Sequence, residues 1–143
     1  MAAYKEDSIQ TTITIDNTTA SSNNSNNSSG AVYVYKRTGT TWAQEAYIKA
    51  SNSEATDWFG SSVALDGDTL AVGTYKEESS QTTITNDNST ASSDNSNNRS
   101  GAVYVDKRNV TTWAKEAYIK ASNNDASDSF GWSVALYGDT LAV

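Results

Sequence analysis

Phe59–Lys76 reads FGSSVALDGDTLAVGTYK, and Phe130–Val143 reads FGWSVALYGDTLAV. Where the second version stops, the other terminus takes up the phrase: Ala2-Ala3-Tyr4-Lys5-Glu6 matches Gly73-Thr74-Tyr75-Lys76-Glu77. Working outward from this stretch, residues 2–72 align with 73–143 without a gap, and three-quarters of the aligned positions are identical. The chain is therefore a Met followed by two head-to-tail copies of one unit, divided inside a strand, and it reads as an engineered or excised fragment of a longer repeat protein. Self-similarity at a fixed period decides the fold before single residues do, because one such unit cannot bury its own faces.

Within the quoted stretch, Phe59–Leu65 and Thr69–Gly73 flank Asp66-Gly67-Asp68. Asp-Gly between alternating hydrophobics predicts a hairpin. Ser61, Ser62 and Ala64 are small enough for strands to crowd, as they would near the axis of a ring. Upstream, Gly30–Arg37 (GAVYVYKR) alternates β-branched and aromatic residues, as does its copy Gly101–Arg108, and both predict strands. Tyr35 becomes Asp106 in the copy, so the end of one strand face is expected to be wet. Thr38-Gly39-Thr40 turns the chain, and since Gly39 becomes Val110, this turn is not expected to need a positive φ. Trp42–Ala50 then alternates Trp42/Gln44/Ala46/Ile48 against Ala43/Glu45/Tyr47/Lys49, which favours a strand with one apolar face over a short helix.

Each unit thus offers short strands joined by hairpins plus one long polar loop, the make-up of a β-propeller blade, and the fold class is all-β. The loop is Ser8–Ser29, repeated as Ser79–Ser100. Ile9 and Ile15 become Ser80 and Asn86, so no core is expected to rest on them, and residues 16–29 are polar enough to suggest a mobile segment.

Composition excludes several functions. There is no Cys, His or Pro, so disulfides, thiolate metal sites and imidazole bases are ruled out. A net charge of −7 argues against nucleic acid, since no surplus of Lys or Arg is available to displace counterions. No apolar run approaches the roughly 20 residues of a membrane-spanning helix, so no membrane partner is expected. MAAYKEDS has neither a basic n-region nor an apolar core and is not read as a signal peptide. Asp57 and Asp128 precede each Phe-Gly, with Glu54 and Asp125 nearby. Carboxylates repeating in every unit suit turn capping better than catalysis, and no unique catalytic cluster is found, so no enzyme activity is expected. Asn17, Asn88 and Asn109 open Asn-x-Ser/Thr sequons of the kind that arise by chance in Asn-rich loops.

The Phe59-Gly60 and Phe130-Gly131 pairs, with SVAL-x-GDTLAV, SGAVYV and W-A-x-E-A-Y-I-K-A-S-N, resemble the bacterial type of FG-GAP repeat, the blade of integrin-like β-propellers. The resemblance implies a four-stranded antiparallel blade. Its strands would be Phe59–Leu65, Thr69–Tyr75, Gly101–Arg108 and Trp113–Ala121. The remaining strands, Gly30–Arg37 with Trp42–Ala50 and Phe130–Val143, would be halves of a second blade. It also implies an extracellular or cell-surface parent that binds protein or carbohydrate, with localisation otherwise open. The family's calcium loop is shortened here to Asp66-Gly67-Asp68, too few oxygens for an ion that takes six to eight. Asp94-Asn95-Ser96-Asn97-Asn98 is read as a solvated loop, with a weak calcium site as the alternative, and no cofactor is expected.

Propellers need about four to eight blades, so two-blade chains are expected to close a ring with themselves, about three or four chains sharing strands head to tail. That makes a non-enzymatic, self-assembling scaffold the first functional expectation. The alternative is a glycan- or protein-binding module. Trp42 and Trp113 are equivalent and point to core or inter-blade packing, whereas Trp58 and Trp132 face Ser129 and Ser61 in the alignment. With Tyr137, Trp58 and Trp132 form the candidate ligand platform, expected to be exposed near the ring face.

Overall fold

The computed structural model describes residues 2–15, 21–87 and 91–143; Asn17 and Asn88 lie outside them. Among the described residues every regular element is a strand. The strands are β1 (Ala2–Ala3), β2 (Ala31–Thr38), β3 (Thr41–Ile48), β4 (Ser62–Asp66), β5 (Thr69–Thr74), β6 (Ile84–Thr85), β7 (Ala102–Asn109), β8 (Thr112–Ile119), β9 (Ala135–Tyr137) and β10 (Thr140–Ala142). They form three antiparallel sheets, ordered β1-β2-β3, β4-β5-β7-β8-β6 and β9-β10.

The middle sheet is the four-stranded blade with β6 added at its outer edge. β6 was not expected: it is a two-residue strand in the polar segment, and its one apolar residue, Ile84, is exposed. The strand expected from Phe59 starts three residues later: Phe59 makes only an isolated bridge to Gly30, and β4 begins at Ser62. The Asp-Gly hairpin forms as expected, pairing Asp66 with Thr69 around Gly67 at φ +54°.

The periodicity of Trp42–Ala50 describes only half of β3. Ala46, Tyr47, Ile48, Lys49 and Ala50 are all buried, so both faces are covered at that end. The cover comes from the Asn/Ser segment of the same unit. Gly30 N–H donates to the Glu6 carbonyl (2.8 Å), Asn26 N–H to Asp7 (3.1 Å) and Ile9 N–H to Asn23 (3.1 Å). Asn26 Nδ2 donates to the Ser53 carbonyl (2.8 Å), and one period later Asn97 Nδ2 reaches that of Asn124 (3.0 Å). Residues 21–29, expected to be mobile on composition, are thus held by specific polar bonds, which hydropathy cannot register. Ile9 and Ile15 are exposed, as their loss in the copy suggests.

Under this cover lies a buried ion pair in each unit. The Lys120 ammonium donates to Glu77 Oε2 (2.7 Å) and Ser100 Oγ (2.8 Å), and Lys49 does the same to Glu6 Oε2 (2.7 Å) and Ser29 Oγ (2.7 Å). Both Lys side chains are fully buried, but Glu6 keeps 19% of its side-chain surface against 2% for Glu77.

Two further expectations are corrected. Asp106 is buried, while its counterpart Tyr35 is exposed. Asp106 stands opposite Lys115 on β8, where Tyr35 stands opposite Gln44 on β3, so the cross-strand pair changes together. Burial pulls the Lys115 ammonium down to about 8, against the attraction of Asp106. The Gly39 turn does use a positive φ (+61°), and Val110 occupies the same region at +62°. A β-branched residue there is strained by contact of its Cβ with the backbone. Val110 is 82% exposed, so packing returns little of that cost. Val110→Gly is expected to raise stability by about 1 kcal/mol, net of the extra freedom glycine has when unfolded. Urea unfolding of the two proteins checks this; an unchanged or lower midpoint would contradict it.

Candidate functional site

The Phe-Gly pairs sit where one sheet hands over to the next. Phe59 N–H donates to the Ser29 carbonyl and Phe130 N–H to that of Ser100, both at 2.9 Å. Phe59 is buried in the core, edge-on to Tyr104 at 5.3 Å, whereas Phe130 is half-buried. Gly131 follows at φ +83°, and a Cβ there would lie 2.4 Å from the Ala102 carbonyl oxygen. Gly60 repeats the geometry at φ +87°, packed on Ala31 and Val32. Each glycine thus lets the backbone press against a strand of the sheet before it, β2 for Gly60 and β7 for Gly131. The small residues expected at the axis act here too: Ser62 Oγ donates to the Gly131 carbonyl (2.7 Å), joining β4 to the β9 side.

Trp113 and Trp42 show what the neighbouring sheet contributes. Trp113 is 5% exposed, and its Nε1 donates to Glu45 Oε2 on β3 (3.1 Å). Beside it, Arg108 bonds Glu45 (3.2 Å) and, through Nε, Asp68 Oδ1 (2.7 Å). The packing role read for the tryptophans therefore holds for Trp113, between the sheets. Trp42, its equivalent in the first unit, is 64% exposed. Around Trp42 and β2, a cavity of about 460 Å³ is lined by Val32, Val34, Tyr35, Val63, Leu65 and Leu70 among others.

Of the candidate ligand platform, the structure gathers two members and omits the third. Trp58 and Trp132 lie on either side of Tyr75, with ring centroids 5.7 and 4.4 Å away, and Tyr4 extends the row beyond Trp58 at 5.1 Å. Trp132 is exposed as expected, but Trp58 is half-buried. Lys76 Nζ stands 3.3 Å over the Trp58 ring. Tyr137 is not part of the row; it is exposed on β9, next to the hairpin turn at Gly138. Tyr4, Tyr75 and Lys76 were missed because they read as ordinary positions of the repeat.

The acidic positions cap turns. Asp57 Oδ2 accepts from Glu54 N–H (3.2 Å) and Asp128 Oδ2 from Asp125 N–H (2.9 Å). Burial, reinforced by Glu77, pushes the Asp57 carboxyl up to about 8. Asp94, in the loop weighed as a weak cation site, accepts from the Ser80 hydroxyl, from Ser80 N–H (3.0 Å) and from Ser96 Oγ (2.9 Å). These bonds hold its carboxyl down to about 2. Among the described residues no three acidic side chains are grouped so as to hold a metal ion.

Comparison with curated proteins and with solved structures gives no match. The family model described as FG-GAP repeat matches residues 42–105 and 113–143, two segments that begin at the equivalent residues Trp42 and Trp113. With its antiparallel blade and its Phe-Gly junctions between sheets, the chain belongs to the FG-GAP repeat family of β-propeller modules.

Proposed function

We propose that this chain is a non-enzymatic β-propeller scaffold that assembles with copies of itself, β9–β10 of one copy adding to β2 of the next. One observation carries the reading. On β7, β5 supplies six rungs, from Thr74↔Ala102 to Thr69↔Lys107. On the equivalent β2, β1 supplies only the rungs Ala2↔Val32 and Ala3↔Ala31, in the same register as Gly73↔Val103 and Thr74↔Ala102. The rungs left over on β2 call for Thr-Leu-Ala-Val in the place of Thr69–Val72, and Thr140–Val143 carries that sequence on a strand paired only with β9.

Side chains agree with the backbone. Moving the Arg108–Asp68–Glu45–Trp113 contacts by one period sets Arg37 and Trp42 against Asp139 and Glu116 of a second copy. The addition would also cover Trp42 and the apolar residues beside it, and an open edge next to exposed hydrophobics invites strand pairing. Repeated head to tail, the contact closes a ring of about three or four chains.

Light scattering on a gel-filtration peak tests this. A single species of about three or four chains, stable on dilution, is expected. Arg37→Glu is expected to shift it to monomer with unchanged far-ultraviolet circular dichroism, and Asp139→Arg added to Arg37→Glu to restore it. A folded monomer for the parent chain would overturn the proposal.

A further inference from the structure

Two of the positions at which the repeats differ exchange Ser and Trp in opposite directions: Trp58 aligns with Ser129, and Ser61 with Trp132. Neither tryptophan is therefore demanded by blade packing, since the other unit folds with serine in its place. The backbone agrees, because Trp58 and Ser129 share the left-handed conformation, at φ +61° and +56°. Yet the structure brings both tryptophans onto one row, Tyr4–Trp58–Tyr75–Trp132, which crosses from the first sheet to the third. These four rings and Ser61 line a cavity of about 240 Å³, with Trp132 64% and Tyr4 41% exposed.

The chain carries −7, but Lys76 sits on the Trp58 ring and Lys5 stands 5.8 Å from the centre of the Tyr4 ring. Burial, with Arg99 and Lys5 close enough to repel it, pulls the Lys76 ammonium below its ordinary value. Two cations, Lys76 and Lys5, thus stand on the aromatic row with Arg99 near enough to act on Lys76, and an anion placed there would relieve their repulsion.

We propose that the row Tyr4–Trp58–Tyr75–Trp132, with Lys76, Lys5 and Arg99, is a binding site for an acidic polysaccharide built from uronic acid units. Pyranose rings present C–H faces of slight positive charge, which suit the negative faces of exposed aromatic rings. Their carboxylates meet the three cations, which supply charge recognition and orientation. A row of rings suits a chain of sugars better than a single one. The site is complete within one copy, so it does not rest on assembly.

The test is titration of the full chain with oligogalacturonate, followed by tryptophan fluorescence and calorimetry, with neutral cellotetraose and poly-glutamate as comparisons. Saturable oligogalacturonate binding is expected, weakened at least about tenfold by Trp132→Ala and by Lys76→Gln, and by a similar factor when cellotetraose replaces it. Trp132 and Lys76 lie outside the apolar core, and unchanged thermal midpoints would show that the variants fold. No saturable binding, or binding undiminished in both variants, would overturn the proposal. Equal affinity for cellotetraose would overturn the acidic class, and equal affinity for poly-glutamate would show that the row reads charge and not sugar.

Discussion

Lys120→Met is expected to lower stability by about 3–5 kcal/mol, because it leaves the Glu77 carboxylate buried without its cation. Glu77 and Lys120 meet at 2.7 Å with both side chains almost wholly out of water. Ser100 Oγ completes the shell and itself reaches the carbonyls of Glu77 (3.3 Å) and Ser79 (3.0 Å). Removing both charges at once, as in Glu77→Leu/Lys120→Met, is expected to recover much of the loss, since no buried charge then remains uncompensated. Lys49→Met makes an internal comparison. Its partner Glu6 keeps contact with solvent, so water can replace part of the lost interaction and a smaller loss follows. Urea unfolding of the three variants measures these differences. Equal losses at Lys49 and Lys120 would show that burial of the carboxylate is not what sets the cost.

Asp57→Asn is expected to stabilise the protein, and more so as pH rises. With its carboxyl at about 8 in the folded chain, Asp57 holds a proton that the unfolded chain releases near 3.8. Between those values the folded state binds more protons, so stability falls as pH increases through the window. Each unit of separation is worth about 1.4 kcal/mol, so the full effect reaches several kcal/mol by pH 8. Asparagine keeps an acceptor for Glu54 N–H and carries no charge to desolvate or to be repelled by Glu77. Unfolding midpoints for the two proteins at pH 5 and pH 7.5 should diverge at the higher value. A gain at Asp57 that is constant with pH would contradict the assignment.

Much of the fold was legible because its signals are local. Asp66-Gly67 marks its hairpin with a residue suited to φ +54°, and GAVYV marks its strand by alternation. The site was legible only in part. Trp58 and Trp132 stood out as breaks in the repeat, but Tyr4, Tyr75 and Lys76 obey it and so gave no contrast. Tyr137 also broke the repeat, yet it lies outside the row. Val110 is illegible for another reason: a non-glycine residue speaks against a positive φ, whereas the hairpin imposes that conformation and the valine bears the strain.

By itself the sequence determined the repeat and the all-β class, because alternation and turn chemistry act within a few residues; the order of strands in the blade followed from the resemblance to the FG-GAP repeat. What surrounds each strand was decided by tertiary structure. Trp42 and Trp113 share a residue type and a local sequence, yet one is exposed and the other buried, since only Trp113 has a preceding sheet to meet. Lys49 and Lys120, each one residue past the end of its strand, fall on the nominally polar side of the alternation and are buried by a polar segment that hydropathy would leave in solvent. Burial depends on which surfaces meet across the sheets, and a pattern repeated in each unit cannot say which copy has a neighbour.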